Sequence, residues 1–465
     1  MGDRAVYLMD QVLAHAGRFF IPEAVGLLRE YMPRFLPYAQ ACAVSDKTVV
    51  IPDDLESTTT PEDIWKVPFN GTTLTLWNRV RPPESGNWRA WPGEDAPVWY
   101  RHQSGTFLPA WDLLGNLFDL LTFGEERESG ERDKHGRFVG AFSPRAGADL
   151  LEVPAFNEAV ALLVAAAVAL RDSGDPPLAI PELIRPPVVV LSHDCDNLEG
   201  NDFWTQSVRA YRAVRPLLRG RKLQAAQFRR IKQNAASPRR YYFDNVLKMI
   251  EMEKSYGAVS ILYLLNGTRG RYGARSSPEL VRELAALIPE GWELGMHYNY
   301  DTHLNGARFS SQKAELEELT GREMTSGRAH YLRFDPEKSP PFYTGQGIRC
   351  DETSGFVDYT GFRNGIAGLF NPWKAQDGEA LDLLELPMTV MESTLVNQYG
   401  ERANEALKRL LAHLKAVGGA LTVLFHPDKF DNPEFPHLMG AYEAWLKECR
   451  SAGAVFLTPG DLARK

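Results

Sequence analysis

Two carboxylates flanking a single residue, with a histidine beside them, stand out in Ser192-His193-Asp194-Cys195-Asp196-Asn197. The segment directly follows Val188-Val189-Val190-Leu191, four aliphatic residues that read as a fully buried strand. Open α/β sheets and barrels carry their chemistry at the carboxyl ends of strands. Side chains two apart on an extended chain point the same way. Asp194 and Asp196 can therefore share a pocket, one binding a metal and the other acting as a base. A strand-capping turn rich in Asp and Asn is the plainer alternative, and the hexapeptide alone does not decide between them.

Histidine placement narrows the choice. Of ten histidines, His193, His297 and His426 fall at or beside the carboxyl ends of expected strands. Imidazole and carboxylate together suit Zn²⁺ and related divalent ions. If the chain takes one helical turn after His297, Asp301 faces the same side four residues on. His303 lies off that face and would reach a metal only by returning in a loop; a solvent-exposed loop histidine is its plainer reading. The stretch from Arg328 to Phe334 alternates in strand fashion, and its Arg328, His330 and Arg333 are costly to bury without partners. An arginine beside a catalytic aspartate would lower its pKa and fix its orientation. Asp335 pairing with one of these arginines is the simpler use of the same residues.

Such a site needs a scaffold, and from Pro186 onward short apolar strands alternate with amphipathic helices. The strands are expected at Val188–His193, Ala258–Leu265, Trp292–His297, Arg328–Phe334, Leu384–Val390, Ala420–His426 and Ala454–Thr458. The helices between them include Phe243–Tyr256, Pro278–Ile288, Ser310–Leu319, Arg402–Val417 and Ala441–Ser451. This alternation indicates βαβ units and a parallel sheet, and about seven repeats favour a closed or nearly closed barrel. Residues 1–180 differ in texture. They open with helical periodicity over Tyr7–Tyr31, pass through a Pro-, Trp- and Gly-rich stretch, and close with an Ala- and Leu-rich helix at Pro154–Arg171. The breaker cluster Asp172-Ser173-Gly174-Asp175-Pro176-Pro177 reads as a linker. The expected fold class is α/β, with a distorted (β/α)7-type barrel over 181–465 behind a smaller α/β domain over 1–180.

Bulk properties exclude some classes of function. A net charge of −8 over 465 residues argues against a nucleic-acid partner. Cys42, Cys195, Cys350 and Cys449 lie far apart with no CxxC spacing, so neither a zinc framework nor a disulfide scaffold is expected. Met1-Gly2-Asp3-Arg4-Ala5 lacks a basic leader, and Ala159–Leu170 is too short to span a bilayer. A cytoplasmic protein without stable membrane insertion is the expectation. One segment, Arg209 to Arg240, carries Lys and Arg with no Asp or Glu. It reads as a solvated helical insertion, or else as a basic face for an anionic substrate group or membrane leaflet.

The motif series SHDCD, WELGMH, GRAHYLRFD, DETSGFVDYTGFRNGIAG, LELPMTVME and LFHP resembles the polysaccharide deacetylase (NodB-homology) family. The likeness is closer to its bacterial branch with an HDxD first motif, and it covers about Pro186 to Leu462. Trp111-Asp112-Leu113-Leu114-Gly115, Phe118-Asp119-Leu120-Leu121 and Asp133-Lys134-His135-Gly136-Arg137-Phe138 resemble the uncharacterised domain that often precedes this branch. That second likeness carries architecture but no chemistry. The first implies a metal-dependent N-deacetylase acting on a carbohydrate, anionic or lipid-linked among the options, with zinc the first candidate metal. It makes Asp194 the general base, Asp196 and His297 metal ligands, Arg328 the holder of the base and His426 the general acid. The family's second metal histidine falls at Asp301 here, which leaves Asp301, His303 or His193 to complete the metal's protein ligands. Hydrolysis of a non-sugar linear amide, and a degenerate barrel that only binds glycan, are the competing readings.

Overall fold

The computed structural model describes residues 3–56, 58–84, 87–200, 203–218, 240–268, 272–432 and 435–465. Its centre is a curled parallel sheet. Strand β1 (Val188–Cys195) is buried along its whole length, as a run of β-branched and aliphatic residues requires when both faces are covered. Chain order then gives β2 (Ser260–Leu265), β3 (Glu293–Tyr298), β4 (Ser326–Ala329), β5 (Cys350–Asp351) and β6 (Leu384–Glu385). Strands β7 (Val390–Met391) and β8 (Ala420–Leu424) follow. Each of β1 to β5 pairs with the strand that follows it, β7 pairs with β8, and β8 returns to β1 with Leu424 opposite Ser192. Spatial order therefore equals chain order around a ring with one seam. Among the described residues no ladder joins β6 to β7.

The ring differs from the expected seven strands in four places. The expected strand Leu384–Val390 is two short strands, separated where Pro387 can donate no ladder hydrogen bond. Cys350–Asp351 is a strand too short to leave a periodic signal. Val455–Phe456, expected as the last ring strand, instead pairs with Val188 and Val189 at the start of β1 and stands off the ring. The expected strand Arg328–Phe334 ends at Ala329, because the chain there turns through left-handed Tyr331 (φ 65°) and Leu332 (φ 51°).

Helices intervene as expected, at Tyr241–Ser255, Pro278–Leu287, Gly306–Thr320, Ala403–Val417 and Leu438–Ser451. Ser277 and Asn305 cap two of them, each accepting from a backbone N–H in the first turn. Alternation along β1 assigns its faces. Val189 and Leu191 pack with Leu410, Leu414, Tyr442 and Trp445 of the outer helices. Ser192 and Asp194 share the opposite face with Val188 and Val190 and turn into the ring.

Residues 3–172 supply the helices Asp3–Phe19, Pro22–Glu30 and Ala155–Asp172, a parallel strand pair, an antiparallel hairpin and a three-stranded antiparallel sheet. The helical reading of Tyr7–Tyr31 divides into two helices at Phe20-Ile21-Pro22. One buried apolar cluster runs from Ala5 to Leu462 and takes in both this region and the ring. Asn157 fastens the long helix to the barrel, donating to the carbonyls of Gly418 (2.6 Å) and Ala367 (3.1 Å). Among the described residues no helix is long and apolar enough to cross a membrane. Of the basic segment 209–240, residues 219–239 lie outside the described residues.

Candidate metal centre and its acid–base pair

The carboxyl ends of β1, β3, β4 and β8 bring Asp194, His297, Arg328 and His426 to one mouth of the ring. Arg328 is the anchor. Its guanidinium is fully buried and donates through Nη1 to Asp194 Oδ1 (2.8 Å), through Nη2 to Ser192 Oγ (2.8 Å) and through Nε to the Glu352 carbonyl (3.0 Å). Nη2 also pairs with the Glu352 carboxylate, and the guanidinium stacks over Tyr263 at 4.8 Å. A rigid fork with every nitrogen engaged fixes the plane of Asp194.

Asp194 is thus held by one oxygen only. Its other oxygen, Oδ2, lies 3.6 Å from His297 Nε2 and 3.9 Å from His426 Nε2. Burial raises the Asp194 pKa, but His297, Arg328 and His426 outweigh it and hold the carboxyl below its ordinary value. His426 receives the opposite treatment. Burial disfavours its charge, yet the Glu392 carboxylate, with both oxygens 3.1 Å from Nδ1, lifts it to about 9. Glu392 itself, buried at the end of β7 and paired also with Lys429, is held well below the usual carboxylate range despite burial.

Among the described residues, Asp196, His297 and His330 form a cluster whose ligand atoms all lie within 4.8 Å of one another. His297 Nε2 is 3.2 Å from Asp196 Oδ1, and His330 Nε2 is 3.6 Å from Asp196 Oδ2. Although so close to a ring nitrogen, Asp196 Oδ1 has no hydrogen bond of acceptable geometry. The far nitrogens are already committed: His297 Nδ1 faces the Arg328 carbonyl (2.9 Å), and His330 Nδ1 faces the Tyr272 carbonyl (3.0 Å). A carbonyl on Nδ1 fixes the tautomer that leaves the Nε2 lone pair free, which is how metal-binding histidines are held. One carboxylate and two imidazoles with free lone pairs fit a divalent cation of the zinc type.

The structure does not bring Asp301 or His303 to this cluster. Asp301 accepts from Arg308 Nη1 (2.5 Å) and Gln312 Nε2 (3.4 Å), because the chain after His297 forms a 3-10 turn at Tyr300–Thr302 instead of a helix. His303 borders a small cavity with Tyr298, Phe309 and Tyr343, where burial pushes its pKa down to about 4. Neither does His193 reach the cluster. It occupies the outer face of β1, with Nδ1 2.9 Å from the Phe425 carbonyl and Nε2 2.8 Å from Glu253 Oε1.

Sequence reading gives three residues no place at the site. His330 lay inside a segment read as continuous strand, although its two-residue spacing from Arg328 was a usable sign. Glu392 directly follows β7, so an acid at a strand end was the available signal. Glu352 directly follows β5, which was too short to be expected.

No family model matches the chain, and no curated protein matches it closely enough to count. Solved structures resemble it more distantly. One is a polysaccharide deacetylase from Bacillus cereus, 14% identical over 58% of this chain and 91% of that one, with a TM-score of 0.29. A mutant of the peptidoglycan deacetylase PdaC from Bacillus subtilis is 13% identical over 61% and 92%, with a TM-score of 0.31. PuuE allantoinase is 13% identical over 60% and 89%, with a TM-score of 0.37.

Proposed function

We propose that this chain is a metal-dependent hydrolase of the polysaccharide deacetylase type, removing N-acetyl groups from an amino-sugar-containing glycan or glycoconjugate. The observation that carries the reading is the divided use of Asp194. Arg328 takes one of its oxygens, and the other faces both the Asp196–His297–His330 cluster and the His426 imidazole. A base and an acid of opposite charge therefore flank the place where an amide would lie.

Asp196, His297 and His330 would hold the cation, which when bound polarises the acetamide carbonyl and makes water more acidic. Asp194, ionised and oriented by Arg328, takes the proton of the attacking water through Oδ2. His426, kept charged by Glu392, gives a proton from Nε2 to the departing nitrogen, and acetate and a free amine result. Amide hydrolysis needs both transfers, because an amide nitrogen leaves poorly unless protonated.

Acetate release from N-acetylated amino-sugar oligomers by the purified protein tests the activity. Release that stops with chelator and returns with Zn²⁺ is the expected result. Turnover of small amides but not of sugars would shift the assignment to a linear amidase. Equal sugar binding with and without chelator, and no acetate, would make the barrel a binding shell.

A further inference from the structure

The segment Asp133–Arg137 belongs to the N-terminal region, yet its contacts reach Tyr331, the residue that follows His330. Asp133 Oδ1 accepts from the backbone N–H groups of His135 (2.8 Å) and Arg137 (3.0 Å), which closes a tight loop with Gly136 at φ 76°. Arg137 Nε and Nη2 donate to Asp133 Oδ2 (2.9 and 2.7 Å). Its remaining nitrogen, Nη1, donates across to the carbonyl of Tyr331 at 2.8 Å. Tyr331 and Leu332 are the left-handed residues that turn the chain immediately after His330, a conformation uncommon for bulky side chains.

His135 adds a second hold. Its ring packs against Tyr331 (4.9 Å), Tyr272 (5.7 Å) and Tyr300 (5.9 Å), and Nδ1 lies 3.1 Å from the Tyr300 hydroxyl. Those three tyrosines come from the loops after β2, β3 and β4. Tyr272 supplies the carbonyl for His330 Nδ1, and Tyr300 supplies the carbonyl for Arg333 Nη1 (2.9 Å). The backbone directly after His330 is therefore fastened to one loop of the N-terminal region, and the tyrosine whose carbonyl meets His330 Nδ1 packs on that same loop.

We propose that the Asp133–Arg137 loop is a positioning element for the metal site, holding the left-handed turn that aims His330 at Asp196 and His297. This rests on the reading that those three residues hold a divalent cation. It gives the N-terminal region a role in the chemistry beyond shared core.

The test is Zn²⁺ affinity of the full chain, measured by competition with a chromophoric chelator. Wild type, His330→Ala, Arg137→Ala, Arg137→Lys and the control Arg132→Ala are compared. Arg132 directly precedes the loop but donates to the carbonyls of Glu131 and Glu126. Loss of a group supporting a metal ligand costs roughly 10–100-fold in affinity. We expect that fall for Arg137→Ala and none for Arg132→Ala. Adding Tyr331→Gly to Arg137→Ala should recover much of the loss, because glycine takes the turn without strain. If Arg137→Ala fails to fold, Arg137→Lys carries the test, since it keeps the charge facing Asp133 but loses the fork. Affinity unchanged in the Arg137 variants, with His330→Ala weakened, overturns the positioning role. Zn²⁺ binding indifferent to His330→Ala overturns the metal-site reading instead.

Discussion

Arg145 and Arg328 are both buried guanidinium groups pinned by carboxylates, and they use their partners differently. Arg145, in the N-terminal region, engages both oxygens of Glu125, at 2.7 and 3.2 Å. Its other contacts are the carbonyls of Phe362 and Arg363, and Ser143 Oγ donates to the same Glu125. Nothing is left over, and the cluster staples the N-terminal region to the loop after β5. Arg328 takes one oxygen of Asp194 and leaves the other facing two histidines. Completeness marks the structural pair and deliberate incompleteness the chemical one, a distinction that burial and charge alone do not draw.

The largest effect that would break this contrast is on turnover. Asp194→Asn keeps shape and the Arg328 contact but removes the base, so kcat should fall by roughly 10²–10⁴-fold with Zn²⁺ binding retained. Steady-state kinetics with metal analysis check it, and undiminished kcat would remove Asp194 from the chemistry. Arg145→Met should act on stability instead. Stranding Glu125 without its partner costs on the order of 3–5 kcal/mol, read by chemical denaturation, while molecules that remain folded keep their kcat.

A pH profile sharpens the contrast further. His426 acts as an acid only while protonated, so activity should decline as pH rises through its pKa, about 9 in the metal-free protein. Glu392→Gln removes the carboxylate that favours the imidazolium, so the alkaline limb should move toward neutrality with little change at pH 6. A limb that stays put would detach Glu392 from the acid. The same linkage has a stability arm. A raised histidine pKa contributes stability present below about 6.5, the ordinary value, and lost as pH climbs toward 9. Glu392→Gln should flatten that loss in urea titrations of the metal-free protein.

The smallest expected effect on turnover belongs to His193→Gln. Its ring faces Glu253 on the outside of β1, so the variant should lose roughly 1.5–3 kcal/mol of stability and leave kcat within about twofold. A collapse of kcat in folded protein would return His193 to the site.

Much of this was legible because hydrophobic periodicity and strand ends are local signals. The run Val188–Leu191, the shared pocket of Asp194 and Asp196, and the positions of His297 and His426 all follow from them. The place of His330 beside Asp196 and His297 was not, because it depends on two consecutive left-handed residues for which Tyr331 and Leu332 carry no compositional warning. Asp301 misled for the mirror-image reason. Its place beside His297 needs a helical turn, and there a 3-10 turn and a partner on the following helix, Arg308, take over. Two-residue strands such as Cys350–Asp351 exist only through their neighbours' pairing, so no window of sequence contains them.

Because ring order equals chain order, nearly every contact within the ring joins close neighbours in sequence; β1 is the exception, meeting both β8 and the late strand Val455–Phe456. His193 and Phe425, in contact there, are 232 residues apart. Closing so long a loop is the entropically slow event in assembling such a chain. Asp196, His297 and His330 sit on or beside strands already joined in succession, whereas His426 arrives only with β8. A folding chain would thus assemble the Asp196–His297–His330 cluster first and bring His426 to Asp194 only when β8 docks.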